Sequence, residues 1–276
     1  MLADITDALK RTNQWNNTII VWVSDNGGPD GVGETMPKAA SCAGNNFPLR
    51  GGKGTAFQGG VRTAGFVSGG LVPAAARGTK YGGYVHICDW FATFADVAGI
   101  PGAASADDAT APRPSDSIDA WPGITGAAGP GYKARTEIPL TIQMFGGPQG
   151  HGVRIESGAL ILGRLKFLLG DVGPGKHFDP YYPQNTTRPA ADDPGCPSPG
   201  CLFNIIADPE ERVNLAASRP ADLKRLAAAL NAYIPTLYQS DLVAGNNGTY
   251  DCAGCLSKAR GANAKATGRP WFGPWL

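Results

Sequence analysis

An unbroken run of apolar and β-branched residues, Thr18-Ile19-Ile20-Val21-Trp22-Val23, leads straight into Ser24-Asp25-Asn26 and then Gly27-Gly28-Pro29. Such a run, with no polar position inside it, predicts a buried strand of the parallel type. The glycines and the proline predict the turn that ends it. In open α/β sheets ligands bind beyond the carboxyl ends of strands, so the run delivers Asp25 and Asn26 to such a place. A carboxylate and a carboxamide there offer two hard oxygen ligands to a divalent cation such as calcium. The same two residues also suit a loop entry in which they cap turn amides, and the residues alone leave both roles open.

A second segment carries chemistry: Asn45-Asn46-Phe47-Pro48-Leu49-Arg50-Gly51-Gly52-Lys53-Gly54-Thr55. Glycines on both sides let the backbone approach a ligand closely, and a lysine between them can reach an anionic oxygen. A phosphate-cradling P-loop needs Gly, four residues, then Gly-Lys-Ser/Thr. Phe47 stands at the first glycine position and Gly54 follows the lysine, so that motif is excluded. Taken alone, Lys53 also reads as a surface lysine. Gly59-Gly60-Val61-Arg62 continues the run, with Arg62 expected to orient the loop through carbonyls.

Around these segments, Leu2, Ile5 and Leu9 recur at helical spacing, as do Ile87, Phe91, Phe94 and Ala98, the latter ended by Gly99-Ile100-Pro101. Phe66-Val67 reads as a short strand. The stretch 102–132, rich in Ala, Gly, Pro and Asp with an ordered island at Ile118 and Trp121, predicts a domain boundary. Beyond it, Ile138–Met144, Gly152–Glu156, Lys166–Leu169 and Cys201–Ile206 read as short strands. Pro220 opens a helix with Leu223, Leu226, Leu230 and Tyr233 on one face. These elements predict residues 1–132 as part of an α/β domain and 133–276 as a small α+β domain. The apolar tail Trp271–Leu276 is expected to dock on the body.

A net charge of +1 with no basic stripe argues against nucleic acid, and no apolar run reaches transmembrane length. The 6 cysteines include two close pairs, Cys196/Cys201 and Cys252/Cys255. A zinc site is the rival use of four cysteines. The Gly/Pro-rich surroundings and the sequons at Asn16, Asn185 and Asn247 favour disulfides in an oxidising compartment instead. Cys42 and Cys88 are expected to lie outside these pairs. The expected setting is the secretory pathway, lysosomal or extracellular, although no signal peptide opens the chain.

Ser24-Asp25-Asn26-Gly27-Gly28, Pro48-Leu49-Arg50-Gly51-Gly52-Lys53-Gly54 and Gly59-Gly60-Val61-Arg62 together resemble the type I, formylglycine-dependent sulfatases, most nearly those of arylsulfatase B type. The likeness continues, in order, in His86-Ile87-Cys88-Asp89-Trp90, Leu202-Phe203-Asn204-Ile205, Asp208-Pro209-Glu210-Glu211-Arg212, Lys265-Ala266-Thr267-Gly268 and Gly273-Pro274-Trp275. It implies an alkaline-phosphatase-like α/β/α sandwich with a smaller C-terminal domain of antiparallel sheet and helix. It also implies calcium-dependent hydrolysis of a sulfate ester, in which a hydrated formylglycine attacks sulfur and calcium offsets charge on the sulfate oxygens. By this resemblance Asp25 and Asn26 match calcium ligands. Lys53 matches the lysine that contacts sulfate near the leaving oxygen, where a fixed cation stabilises growing charge.

The departures from the family are specific. No cysteine or serine of the chain stands in the formylglycine motif Cys/Ser-x-Pro-x-Arg, and Cys196-Pro197-Ser198-Pro199-Gly200 lacks its arginine. The paired aspartates that complete the calcium site, and the lysine and histidines that precede this region in the family, are absent as well. The chain therefore reads as the C-terminal half of a sulfatase, expected to be inactive alone; the alternative is a half-sulfatase kept as a binding module or an unproductive fragment. A metal-dependent phosphohydrolase of the same superfamily is disfavoured by the Lys53 segment. His86 is read as structural, and His151 lies on an expected loop. The substrate stays open among aryl sulfates, sulfated glycosaminoglycans and other sulfated polysaccharides.

Overall fold

The computed structural model describes residues 1–29, 44–100, 116–145, 154–173, 175–177 and 195–237 of the 276-residue chain. The chain forms two compact units, Met1–Asn231 and Ala232–Leu276. In the second, the described residues include one 3-10 turn at Ile234–Thr236.

The first unit opens on α1, Leu2–Arg11, with Asp4 in its first turn and Lys10 and Arg11 in its last, an arrangement the helix dipole favours. Next come β1, Ile20–Val23, the short α2, Gln58–Val61, and β2, Gly65–Ser68. β1 pairs antiparallel with β2, from Ile20 opposite Ser68 to Val23 opposite Gly65. This corrects the expectation of a buried parallel strand. Among the described residues the ribbon has only these two strands. Trp22 is 46% and Phe66 43% exposed, their rings stacked at 5.7 Å. The β-branched run was read correctly as strand, but the layers that would bury both its faces are not among the described elements.

α3, Asp89–Val97, and α4, Trp121–Thr125, follow. The Asp89 side chain is only 1% exposed. Its oxygens accept from Arg135 (2.8 Å and 2.5 Å), from the His86 amide (2.7 Å) and from the Ile118 amide (2.9 Å). Burial pushes the Asp89 carboxyl up, but these bonds outweigh it and hold the group below its ordinary value.

The larger sheet is antiparallel in the order β3, Glu137–Phe145, β4, Arg154–Leu162, β5, Leu165–Gly170, and β6, Cys196–Asn204. Its register sorts the side chains by the two-residue period of a strand. Ile161 faces Lys166 and Phe203; Ala159 faces Leu168 and Cys201. With Ala56 and Phe57 these residues, Lys166 apart, belong to one buried apolar cluster. The opposite face carries Leu160, Phe167 and Leu202, each no more than 1% exposed. α5, Pro220–Asn231, covers that face with Leu223, Leu226 and Leu230. A Cβ on Gly158 would lie 2.9 Å from a Leu230 methyl, so the helix sits directly on the strand. Burying each such leucine contributes about 1.5–3 kcal/mol.

All four strands run beyond their sequence limits, β3 and β5 by one residue at each end. β4 continues through Ser157–Leu162, and β6 begins at Cys196, in a segment whose prolines and Gly200 suit a loop between the two cysteines. That loop is a bulge within β6: Gly170 pairs with Cys196 and Leu168 with Cys201, and a disulfide joins the two cysteines. Cys42, Cys252, Cys255, Asn185, Asn247, His151 and the Trp271–Leu276 tail lie outside the described residues.

Candidate active site

β1 ends at Val23 and hands the chain to the corner Ser24–Gly28. The Ser24 hydroxyl donates to the Asn26 carbonyl (2.9 Å), the Asn26 amide donates to Asp25 Oδ1 (2.9 Å), and Asn26 Nδ2 donates to the Gly27 carbonyl (2.8 Å). The capping role is therefore present. It uses Asp25 Oδ1 and Asn26 Nδ2; among the described residues, Asp25 Oδ2 and Asn26 Oδ1 take part in no hydrogen bond. Asp25 is exposed and Asn26 half-buried.

The corner docks on the glycine-rich segment by close backbone contact. The Gly27 amide donates to the Gly60 carbonyl at 2.9 Å, and a Cβ on Gly27 would fall 1.6 Å from the Gly59 oxygen. Only glycine fits there. Asn46 ties the two segments from the side: Oδ1 accepts from the Gly28 amide (2.8 Å), while Nδ2 donates to the carbonyls of Gly28 (2.9 Å) and Gly51 (3.1 Å). The Lys53 amide then donates to the Gly28 carbonyl at 3.1 Å. Asp25, Asn26 and Lys53 thus stand on two backbone segments bonded to each other. Lys53 is exposed, while its neighbours Gly51, Gly52, Thr55, Ala56 and Phe57 are buried.

The glycine-rich segment is also fastened to the C-terminal sheet. The Gly51 amide donates to the Lys176 carbonyl (2.7 Å) and the Ala56 amide to the Val172 carbonyl (2.8 Å). Arg50, not Arg62, binds loop carbonyls: its Nε donates to Gly175 (2.7 Å) and its Nη1 to Glu211 (3.1 Å), with the guanidinium 4.2 Å from the Phe57 ring centre. Arg62 is exposed. His177 Nε2 lies 2.8 Å from the Glu210 carbonyl, and burial pushes its pKa down, as do Arg212 and Arg50 nearby.

Sequence reasoning passed over a fully buried ion pair beneath this segment. Lys166 Nζ lies 2.8 Å from Glu211 Oε1, and both side chains are 0% exposed. Glu211 Oε2 accepts from the Gln58 amide at 2.6 Å, and Gln58 Oε1 lies 3.4 Å from Lys166 Nζ. Burial pushes the Lys166 ammonium pKa down, opposed by Glu211. The available signal is Glu211 within the Asp208–Arg212 motif, but its partner lies on β5, far away in sequence.

The His86 amide donates to Asp89 Oδ2 at 2.7 Å, and His86 Nδ1 lies 3.0 Å from Cys88 Sγ. Cys88 carries no disulfide. Asn16 is exposed, in the 3-10 turn Trp15–Asn17. No cluster of three or more His, Cys, Asp or Glu side chains placed for a metal occurs among the described residues. Asp25 and Asn26 nevertheless fit part of a calcium site, since a carboxylate and an amide oxygen are the hard ligands that ion takes.

Residues 1–100 match the family model named Sulfatase. Mouse (Mus musculus) Arylsulfatase J is 33% identical over 253 residues, which cover 84% of this chain and 38% of that protein. Among solved structures, the PsFucS1 sulfatase from Pseudoalteromonas sp. superposes with a TM-score of 0.53 at 22% identity, over 85% of this chain and 40% of its own. Ps i-CgsB, solved in complex with k-i-k-neocarrahexaose, gives 0.56 at 22% identity, over 98% of this chain and 45% of its own. The chain therefore spans roughly two-fifths of the length of these relatives. On the sequence match and the shared fold together, this chain belongs to the sulfatase family and corresponds to its C-terminal region.

Proposed function

We propose that the chain is the portion of a calcium-dependent, arylsulfatase-type sulfuric ester hydrolase that supplies Asp25 and Asn26 to calcium and Lys53 to the sulfate group. The observation that carries this reading is the bond from the Lys53 amide to the Gly28 carbonyl. It ties the cationic loop to the corner that holds the two oxygen ligands. Bound calcium would supply Lewis-acid charge at the sulfate oxygens. Lys53 supplies a fixed positive charge near the leaving oxygen, where it is most useful as the ester bond breaks. The substrate class is an aryl sulfate or a sulfated saccharide. No helix among the described residues is long and apolar enough to cross a membrane, and the Cys196–Cys201 disulfide supports a secretory-pathway, lysosomal or extracellular setting. Residues 1–132 form the catalytic-domain portion and 133–276 the smaller α+β domain, which the β3–β6 sheet and α5 support.

The nucleophile motif is not in this sequence, and members of a catalytic set fail as a unit. The purified chain therefore does not turn over sulfate esters; calcium-dependent hydrolysis of an aryl sulfate by the chain alone would overturn this. In a sulfatase-length protein carrying the chain, Lys53→Ala lowers kcat by roughly 10²–10³, as loss of one transition-state contact does, with KM changed less. An intact kcat with only KM altered would remove Lys53 from its role. A stable chain that binds sulfated saccharides, yet stays inactive when joined to a complete N-terminal sulfatase region, would favour the non-catalytic module instead.

A further inference from the structure

We propose that Glu211 is a positioning residue for Lys53, acting through the buried Lys166 and the first amide of α2. The inference rests on the reading of Lys53 as the sulfate contact. Two bonds run from Glu211 into the segment that carries Lys53, and a third reaches it through Lys166 of β5. Its Oε2 accepts from the Gln58 amide at 2.6 Å. Its carbonyl accepts from Arg50 Nη1 at 3.1 Å. Its Oε1 pairs with Lys166 Nζ at 2.8 Å, and Lys166 in turn lies 3.4 Å from Gln58 Oε1. Arg50 and Gln58 flank Lys53 on both sides, so the carboxylate and carbonyl of one residue clamp both ends of its loop.

The backbone of Glu211 argues the same way. Its φ is +55°, in the left-handed region that glycine and asparagine favour. A glutamate held there persists only where the surroundings over-determine it. Here they do: the Lys166 ammonium has no exposure to water and needs a counter-charge. The glycine contacts then leave the clamped loop no slack. A Cβ on Gly59 would fall 2.2 Å from the Gly51 oxygen, and one on Gly60 2.5 Å from the Gly52 oxygen. A shift of the Gln58–Gly60 backbone is therefore passed to Gly51, Gly52 and the Lys53 amide.

Amide hydrogen exchange of the whole chain, read residue by residue, tests this without requiring turnover, so its outcome is independent of whether Lys53 meets a sulfate. In the wild-type chain the Lys53, Gly27 and Gln58 amides are expected to exchange at one common rate, opening as a unit. A Lys53 amide exchanging roughly a hundredfold faster than that of Gln58 would overturn the proposal. Paired substitutions then separate positioning from bulk stability. Lys166→Met with Glu211→Leu removes both charges, so the fold tolerates it, but it also removes the acceptor for Gln58. Exchange at Lys53 should rise roughly tenfold or more while Leu160 and Leu202 stay protected. Lys166→Met with Glu211→Gln keeps an acceptor oxygen and should restore wild-type exchange at Lys53. Equal exchange at Lys53 in the two double variants would show that Glu211 does not position it. If exchange follows the clamp but Lys53→Ala leaves kcat intact in the sulfatase-length protein, the positioning stands and the catalytic reading of Lys53 falls.

Discussion

The β3–β6 sheet and the β1–β2 ribbon are built from similar apolar residues and reach opposite degrees of burial. In the sheet, Leu160, Leu168 and Leu202 are 0% exposed; in the ribbon, Trp22 and Phe66 are 46% and 43% exposed. The difference lies in what covers each face. α5 packs one face of the sheet, and Ala56 and Phe57 of the glycine-rich segment pack the other. The segment that carries Lys53 is therefore a structural layer of the sheet as well as the proposed site loop, whereas the corner that carries Asp25 hangs from the less buried ribbon. β-branched sequence makes a strand; layers make a core.

The largest effects should appear where a buried charge loses its partner. Glu211→Ala leaves the Lys166 ammonium alone in the core and should cost about 3–5 kcal/mol in denaturant unfolding. Arg135→Met should do the same to Asp89. A cost near that of a surface pair, roughly 0–1 kcal/mol, would mean that these ions are hydrated. Next comes the contrast between the two sheets. Leu202→Ala should cost about 2–5 kcal/mol. Trp22→Ala should cost much less, roughly 1 kcal/mol, because its ring loses mainly the stacking on Phe66. Equal costs would show that the ribbon is as deeply buried as the sheet.

Acid should act through Asp89. Its folded pKa lies below the ordinary value, so the stability it contributes is fully present above the ordinary carboxylate range. That stability is lost as pH falls through the depressed folded pKa. Unfolding midpoints followed downward in pH should show this loss, and Asp89→Asn should flatten it. The Cys196–Cys201 disulfide should contribute less than the buried ion pairs. It closes a loop with a sequence separation of 5, and chain entropy assigns so short a loop about 2 kcal/mol. Reduction should lower the unfolding midpoint modestly and leave the β3–β5 amides protected.

Much of this was legible in the sequence. The strand before Asp25, the α5 face with Leu223, Leu226 and Leu230, and the family motifs all follow local periodicity or spacing. The failures share one cause. Lys166 opens a predicted strand and carries a charge, so nothing local marks it as buried; Glu211, from a later turn, makes that burial possible. Cys196-Pro197-Ser198-Pro199 looks like a loop because two of its residues are proline and Gly195 and Gly200 flank it, yet β5 gives Cys196 a strand partner in Gly170. The pairing direction of β1 was misread because a run of β-branched residues reports burial potential and not the neighbour that uses it. In the site, Arg50 and Asn46 stand close to Lys53 in sequence, but their bonds to Gly175, Glu211 and Gly28 appear only after folding.

The central claim is that Asp25, Asn26 and Lys53 share one site. Manganese takes the same hard oxygen ligands and broadens nearby nuclear resonances even when bound weakly, so titrating it into the isotope-labelled chain tests the claim directly. The expected result is selective broadening of the Asp25, Asn26, Gly28, Lys53 and Gly54 amides, with β4 and β5 unaffected and the effect lost in Asp25→Ala. Broadening centred on other carboxylates, or broadening at Asp25 that spares Lys53 and Gly54, would contradict it.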